Sequence, residues 1–571
     1  MKTIILREWG ILPKTDITLA LYKLFIENPQ DTEFVFEADE YYFSPHEEMR
    51  YDYRISNSDP QPYRSLALWL KGMKNCVLRG CGAKFLLEGH MQVFTLDECE
   101  NVTLDGFYVD WKYPLAAEGK VLSCDEVGAE IFVDPDAFPH RIADNTFEFY
   151  VGAGEWYKST NNAIAFESEK FTVRKNTGDI YYNSVTPLGN SVYRLEFKEP
   201  KKLVAGDLLN IRHNVRIHAG VFCERCRDIT VKNTTFYSCG GLGCLAQFCH
   251  NLTYQSVDFL PNNQCGRFVS SGRDDGMHIT NVSGHVVIKD CKFHALMDDP
   301  INVHSCCVIL SEVIDNKTVL CTYGHRQACG FHYWAKQGDD IVFIKRGNMS
   351  GACHVKANEY KLQTDKTFIL TFEEKIPDEI FDAINSGEEF ALDNLTNTAS
   401  FECTGNYFGS CRARGLLIST PKKVLIKGNY FESSGSAILV AGDSNGWFES
   451  GECHDVEITE NTFGKECMSS MYQFCNGVIS ICPVVPKPET EQPYHKNIKI
   501  HKNKFTVSDQ TVIYAYSCKN LEFYDNEIVR DNTDCAVADV ILSYCVDANI
   551  KGEILVDGKQ TPLKIEASNC R

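Results

Sequence analysis

Nine segments of the chain begin on an apolar residue, alternate apolar and polar positions, and close on an aromatic or aliphatic residue. They are VTLDGFYV (102–109), ITVKNTTF (229–236), LTYQSVDF (252–259), VVIKDCKF (286–293), FECTGNYF (401–408), VLIKGNYF (424–431), VEITENTF (456–463), IKIHKNKF (498–505) and LEFYDNEI (521–528). Three pairs of starts (229 and 252, 401 and 424, 498 and 521) lie 23 residues apart, and the others are longer by a loop. Alternation over eight residues reads as a half-buried strand, and Asn, Asp or Gly near its end supplies a turn. Strands this short bury their apolar faces only by stacking on copies of themselves, which predicts an all-β, right-handed parallel β-helix. A β-sandwich is the rival, but its repeats would not keep Asn in the same turn at so regular a period.

Between these coils the pattern changes. Residues 16–28 (DITLALYKLFIEN) carry an Asp cap and apolar residues at helical spacing, and 32–44 (TEFVFEADEYYFS) read as a strand, together a cap over the first coil. Coils are expected from about Tyr63 to Trp111, again from near Val215 to Cys307, and from about Ala399 onward. The stretches 112–214 and 308–398 lose the Asn turn but keep β alternation, with Gly-Asp or Gly-Glu turns entering apolar strands at VAGDLLNIRH (204–213), QGDDIVFIKRG (337–347) and SGEEFALDNL (386–395). They read as two small antiparallel β-barrels inserted into the solenoid. The expected division is 1–111, 112–214, 215–307, 308–398 and 399–571. Insertions in repeat proteins often emerge on the binding face, so the barrels are expected to wall a site.

Composition narrows the chemistry. At 571 residues and 44% hydrophobic content the chain can bury a long core, and no apolar run approaches the roughly 18 residues of a membrane span. A net charge of −20 argues against nucleic acid or an anionic membrane as partner and disfavours a polyanionic polysaccharide, although a local basic cleft could override it; neutral sugars fit. MKTIIL is cut short by Arg7, Glu8 and Trp9 before a signal-peptide core forms, so a cytoplasmic location is expected, or a secreted or periplasmic one if a leader was trimmed. The 26 cysteines then read as reduced packing residues, among them Cys76, Cys81, Cys226, Cys291, Cys403, Cys411 and Cys518. The pair in FCERC (Cys223, Cys226) lacks a second pair or a His at matching spacing, so no metal or other cofactor is expected.

The chemistry concentrates in two adjacent coils. GRDDGMHITN (272–281) and HALMDDPINVH (294–304) hold Asp274, Asp275, Asp298 and Asp299, with 23–25 residues between members of the two pairs, about one coil. Neighbouring carboxylates raise one another's pKa, and a split between protonated and ionised forms is what acid/base work requires. Successive residues of a strand face opposite ways, so the doublets are expected at bends. Asp275, Asp298 and Asp299 are the catalytic candidates, with Asp274 evenly balanced between site and turn. His278, Asn302 and His304 follow closely and could bind sugar hydroxyls, or serve as an inward Asn ladder and satisfied core histidines. Arg273, Arg412 and Arg414 could orient the acids or hold a hydroxyl. In DSNGWFESGE (443–452), Trp447 is a candidate platform for a hexose face and Glu449 a hydroxyl acceptor or third carboxylate; Trp447 can equally cover a coil edge. FHYWAKQG (331–338) is a further candidate aromatic wall.

GRDDGMHITN, MDDPINVHS (297–305), RARGLLIST (412–420), GNYFESSGSAILVAGDSNGWFESG (428–451) and VTLDGFYVDW (102–111) make the chain resemble glycoside hydrolase family 110 over nearly its whole length. That resemblance implies a β-helix with two inserted barrels and exo-acting, inverting hydrolysis of terminal α-1,3-linked galactose, as in blood-group B or linear α-galactosyl glycans. The implied partner is a galactose-terminated oligosaccharide or glycoconjugate, and a homodimer stays open. Two rivals are a polysaccharide lyase or uronate epimerase, which would need calcium or Arg and form an ultraviolet-absorbing product, and a non-catalytic glycan-binding solenoid, which would bind without turnover.

Overall fold

The computed structural model describes every residue except 214, 471, 533 and 534. Two parallel sheets run the length of the molecule, each coil adding strands to both. One ladder passes through Val102, Ile229, Leu252, Val286, Phe401, Val424, Val456, Ile498 and Leu521, the starting residues of the nine repeats. Their closing aromatics stack inside the solenoid. Phe236, Phe259, Phe293, Phe408, Phe431, Phe463 and Phe505 follow one another with ring centroids 4.3–5.9 Å apart. At the turn just before them, buried Asn406, Asn429, Asn461 and Asn503 continue to Asn526, each side-chain amide donating to the next Asn Oδ1 at 2.9–3.0 Å.

The cap differs in detail from the sequence expectation. The helix spans Thr18–Glu27, and Asp16 Oδ1 accepts the Thr18 N–H at 2.9 Å. Residues 32–44 form two strands, Thr32–Val35 and Glu40–Phe43, because the chain turns a corner between them. The solenoid also starts earlier than Tyr63: Lys2–Ile5 pairs in parallel with Thr32–Val35, which pairs with the strand Lys74–Leu87. Too few repeats precede Tyr63 for the period to be read there.

Both interruptions are closed antiparallel barrels. In the first, Glu155–Phe166 pairs with Leu208–His213 to close a circuit that includes Ala117–Asp125 and Val192–Phe197. The second closes between Val308–Asp315 and Phe390–Asn394. Trp334 is wholly buried in the second barrel's core and donates its indole N–H to the Cys306 carbonyl, which corrects the expectation that FHYWAKQG walls the cleft. Among the cysteines singled out, Cys81 is exposed and the other six are buried, while Cys223 and Cys226 lie in the apolar interior. Among the described residues, no helix is long and apolar enough to cross a membrane.

Candidate active site

The two acidic doublets sit at bends, one coil apart. A bridge between Gly272 and Leu296, followed by the parallel pairing of Met277–Thr280 with Ile301–His304, places Asp274 beside Asp298 and Asp275 beside Asp299. The bend must be tight: a Cβ on Gly276 would stand 2.7 Å from the Pro300 carbonyl oxygen. The next coil brings Arg412 and Arg414 to the same corner, held on either side of Ala413, whose φ is 63°. Asp275, Asp298 and Asp299 thus share one cleft of about 260 Å³ with Asn302, Arg412, Arg414, Trp447 and Glu449.

Guanidinium groups divide the carboxylates into different states. Asp274 is fully buried, accepts from Arg212 at 2.9 Å and from Arg273, and lies 3.5 Å from Arg216. Burial would raise its pKa, but the three cations outweigh it and hold the carboxyl near 2, which makes Asp274 the anchor of an arginine cluster. Arg273 also donates to the His213 carbonyl, so it stands behind the cleft wall. Asp298 faces Arg412 at 3.2 Å and Arg212 at 3.6 Å. Burial opposes ionisation there too, yet Arg412 and Arg212 keep its pKa below the ordinary value. Asp299 accepts from Arg414 twice, from its N–H at 2.9 Å and its Nη2 at 2.8 Å. Burial and the charges of Asp298 and Asp275 nevertheless push it up to about 8.

Asp275 has the weakest cationic support. Its Oδ1 is 3.6 Å from Arg216, while Oδ2 meets His278 Nδ1 at 2.7 Å. Burial, then the neighbouring Asp298, raise its pKa far above the ordinary range. Three close carboxyl groups cannot all ionise. With Asp299 forked to Arg414 and Asp298 between two guanidiniums, Asp275 is the group that keeps a proton. Once it is neutral, the upward pressure on Asp299 falls.

His278 and His304 stand behind these acids, fully buried, with their Nε2 atoms 2.9 Å apart. Burial lowers both imidazole pKa values, His278 to about 4, so both are neutral at pH 7. Glu449 accepts from Asn57 at 2.8 Å and Asn302 at 3.2 Å. Burial works against its charge, and His304, His278, Asn57 and Asn302 hold its carboxyl below the ordinary value; with the imidazoles neutral, that task falls to the two amides. Asn302 is therefore no rung of an Asn ladder. His278, His304 and Glu449 each bring one ring nitrogen or carboxylate oxygen within 4.8 Å of the others, but the imidazoles already meet at hydrogen-bond distance. Trp447 is 39% exposed and packs on His325 of the second barrel, centroids 4.5 Å apart.

Several residues that line the cleft or hold its lining side chains escaped the sequence reading. Arg212 and Arg216 leave the first barrel, and Asp179 of that barrel holds Arg412 in a fork at 2.8 and 2.9 Å. Two arginines four apart in NIRHNVRIH, within an acidic chain, are the signal that could have found the first pair. Asn57, His325 and Tyr472 come from loops whose approach to the cleft has no local sequence signature.

Sequence-family descriptions of GLAA-B beta-barrel domain I and domain II match residues 117–209 and 318–383, within the two inserted barrels. Alpha-1,3-galactosidase B of Bacteroides thetaiotaomicron is 35% identical over 564 residues, 95% of this chain and 90% of that one. The chain belongs to the alpha-1,3-galactosidase family. Alpha-1,3-galactosidase A of Bacteroides fragilis is more distant within it, 28% identical over 92% of this chain and 87% of the relative. Among solved structures, the family 28 exopolygalacturonase of Yersinia enterocolitica aligns over 100% of this chain and 77% of its own at 10% identity and a TM-score of 0.38, too distant to add to the strand pairings.

Proposed function

We propose that the protein is an exo-acting, inverting glycosidase of glycoside hydrolase family 110 that releases terminal α-1,3-linked galactose, with Asp275 as general acid and Asp298, supported by Asp299, as general base. The observation that carries this reading is the unequal cationic support of three carboxyl groups in one cleft: Asp275 meets one guanidinium, at 3.6 Å, while Asp298 and Asp299 are held by arginines at 3.2 and 2.8 Å. An inverting glycosidase needs one protonated carboxyl for the leaving oxygen and one carboxylate to activate water on the opposite face of the ring. Asp275 and Asp298 sit on adjacent coils, one residue out of register with each other, and stacked strands are spaced by about 4.8 Å.

Enclosure supports exo action. The cleft is bounded by Asn57, by Arg212 and Arg216 at the exit of the first barrel, by the Trp447 loop and by Tyr472–Phe474, so it suits a chain end better than a through-running polymer. Charge also favours a neutral sugar. Each cleft guanidinium already faces a carboxylate, leaving none to neutralise a uronate as a lyase would require. Trp447 offers a ring face, and Glu449 with Asn302 offers a polar edge for hydroxyls.

The test is incubation in EDTA with a linear α-1,3-galactosyl disaccharide and with the fucosylated blood-group B trisaccharide. Free galactose from either is the expected result, and relative rates give the acceptor preference. No release from both, or an ultraviolet-absorbing product from a uronate polymer, would refute the assignment.

A further inference from the structure

Resting on the acid role given to Asp275, a second structural feature explains how that role is kept. Four groups form one hydrogen-bonded line: Asp275 Oδ2 to His278 Nδ1 at 2.7 Å, His278 Nε2 to His304 Nε2 at 2.9 Å, and His304 Nδ1 to the Ser305 carbonyl oxygen at 2.6 Å. A carbonyl oxygen only accepts, so His304 must carry its proton on Nδ1. If His304 is neutral, its Nε2 is a lone pair and accepts from His278 Nε2. A neutral His278 with its proton on Nε2 then presents a lone pair at Nδ1, and the group facing it must donate. That group is Asp275.

We propose that His278 and His304 are positioning residues which, through the fixed polarity imposed by the Ser305 carbonyl, keep Asp275 as the carboxylic acid in the free enzyme. The opposite arrangement is frustrated. An ionised Asp275 would draw the His278 proton to Nδ1 and leave two imidazole lone pairs facing each other at 2.9 Å, buried and without a donor. A bound glycosidic oxygen has only to compete with His278 Nδ1 for the proton that Asp275 carries.

The surrounding charges agree. Asp275 faces Asp298, Asp274 and Glu449, with Arg216 as its nearest opposing cation and Asp299 on the next coil. His278 faces Glu449 and Arg216, and His304 faces Glu449 at 3.6 Å with Asp393 beyond. Guanidiniums of Arg212, Arg216, Arg273, Arg412 and Arg414 face Asp179, Asp274, Asp298 and Asp299, whereas Asp275 meets only Arg216, at 3.6 Å. This step deepens the proposed reaction by saying why the acid stays loaded.

The direct test is nitrogen-15 NMR of the histidine-labelled wild-type protein near pH 7, assigned with His278→Gln and His304→Gln. The expected pattern is two neutral rings, His278 with its proton on Nε2 and His304 with its proton on Nδ1. Two rings both protonated on Nδ1, an imidazolium at either position, or a stoichiometric bound metal by elemental analysis would each overturn the proposal. The kinetic test is the pH dependence of kcat/KM, whose alkaline limb reports the acid of the free enzyme. In His304→Phe the line is cut and its polarity lifted, so that limb is expected to move down by about one pH unit or more; a limb that stays in place while the variant remains folded would also overturn it. Absence of galactose release by the wild type would refute the proposed function, yet leave the NMR result to decide this inference separately.

Discussion

Two polar systems are built on the same repeat, and they treat their polar atoms in opposite ways. In the C-terminal coils, Asn406 to Asn526 form a neutral ladder in which each amide is both donor and acceptor to its neighbours, and none has a buried unpartnered side-chain atom. In the central coils the corner is charged: Asp274 Oδ2 and Arg216 Nε meet only each other, at 3.5 Å, and Arg212 Nε, Arg414 Nε and Asn302 Oδ1 are buried without a hydrogen-bond partner in the protein. A satisfied ladder stabilises the stack; an unsatisfied corner holds polar groups ready for a ligand at some expense in stability. Substitutions should therefore separate the two systems.

The largest effect is expected at the charged corner. Asp298→Asn should lower galactose release by about 10²–10⁴-fold while leaving the thermal unfolding midpoint near wild type or higher. Full activity in that variant would remove Asp298 from the mechanism. Next, Phe431→Ala opens the middle of the aromatic stack and should destabilise the fold by about 3–5 kcal/mol in denaturant titration, with kcat little changed in the folded fraction. Asn429→Ala removes the amide joining Asn406 to Asn461 and should destabilise by about 1–3 kcal/mol, again without a change in pH profile. A shift of that profile would show that the two systems are coupled. The smallest effect is expected at Trp447→Ala, a several-fold rise in KM from loss of about 1 kcal/mol of ring contact, with kcat retained; a fall in kcat alone would mean the ring positions the catalytic loop instead.

The pH dependence sharpens the same contrast. In the proposed mechanism Asp298, with its lowered pKa, works ionised, so its contribution is lost as pH falls through that value, and Asp275, with its raised pKa, works protonated, so its contribution is lost as pH rises through it. Activity should be bell-shaped in Asp275 and Asp298 but insensitive to the Asn ladder.

What the sequence made legible follows from what repeats. Residues recurring at one structural position, such as Phe236 through Phe505 and Asn406 through Asn526, announce themselves because each coil must solve the same packing problem. The two barrels were legible because their turns break that period. Asp274, Asp275, Asp298 and Asp299 were visible as doublets one coil apart. Arg216, Asp179 and Asn57 were not, since they reach the cleft from elements distant in the chain and no periodicity ties them to the acids. Trp334 misled because an aromatic in an insertion looks the same in a core as in a wall.

The measurement that tests the central claim most directly is proton NMR of the reaction as it proceeds, following the anomeric signal of the first galactose released. β-Galactose appearing first, before mutarotation, is the predicted result, since water activated by Asp298 attacks opposite the group that Asp275 protonates. α-Galactose appearing first would contradict the account and require one of the three aspartates to act as a nucleophile.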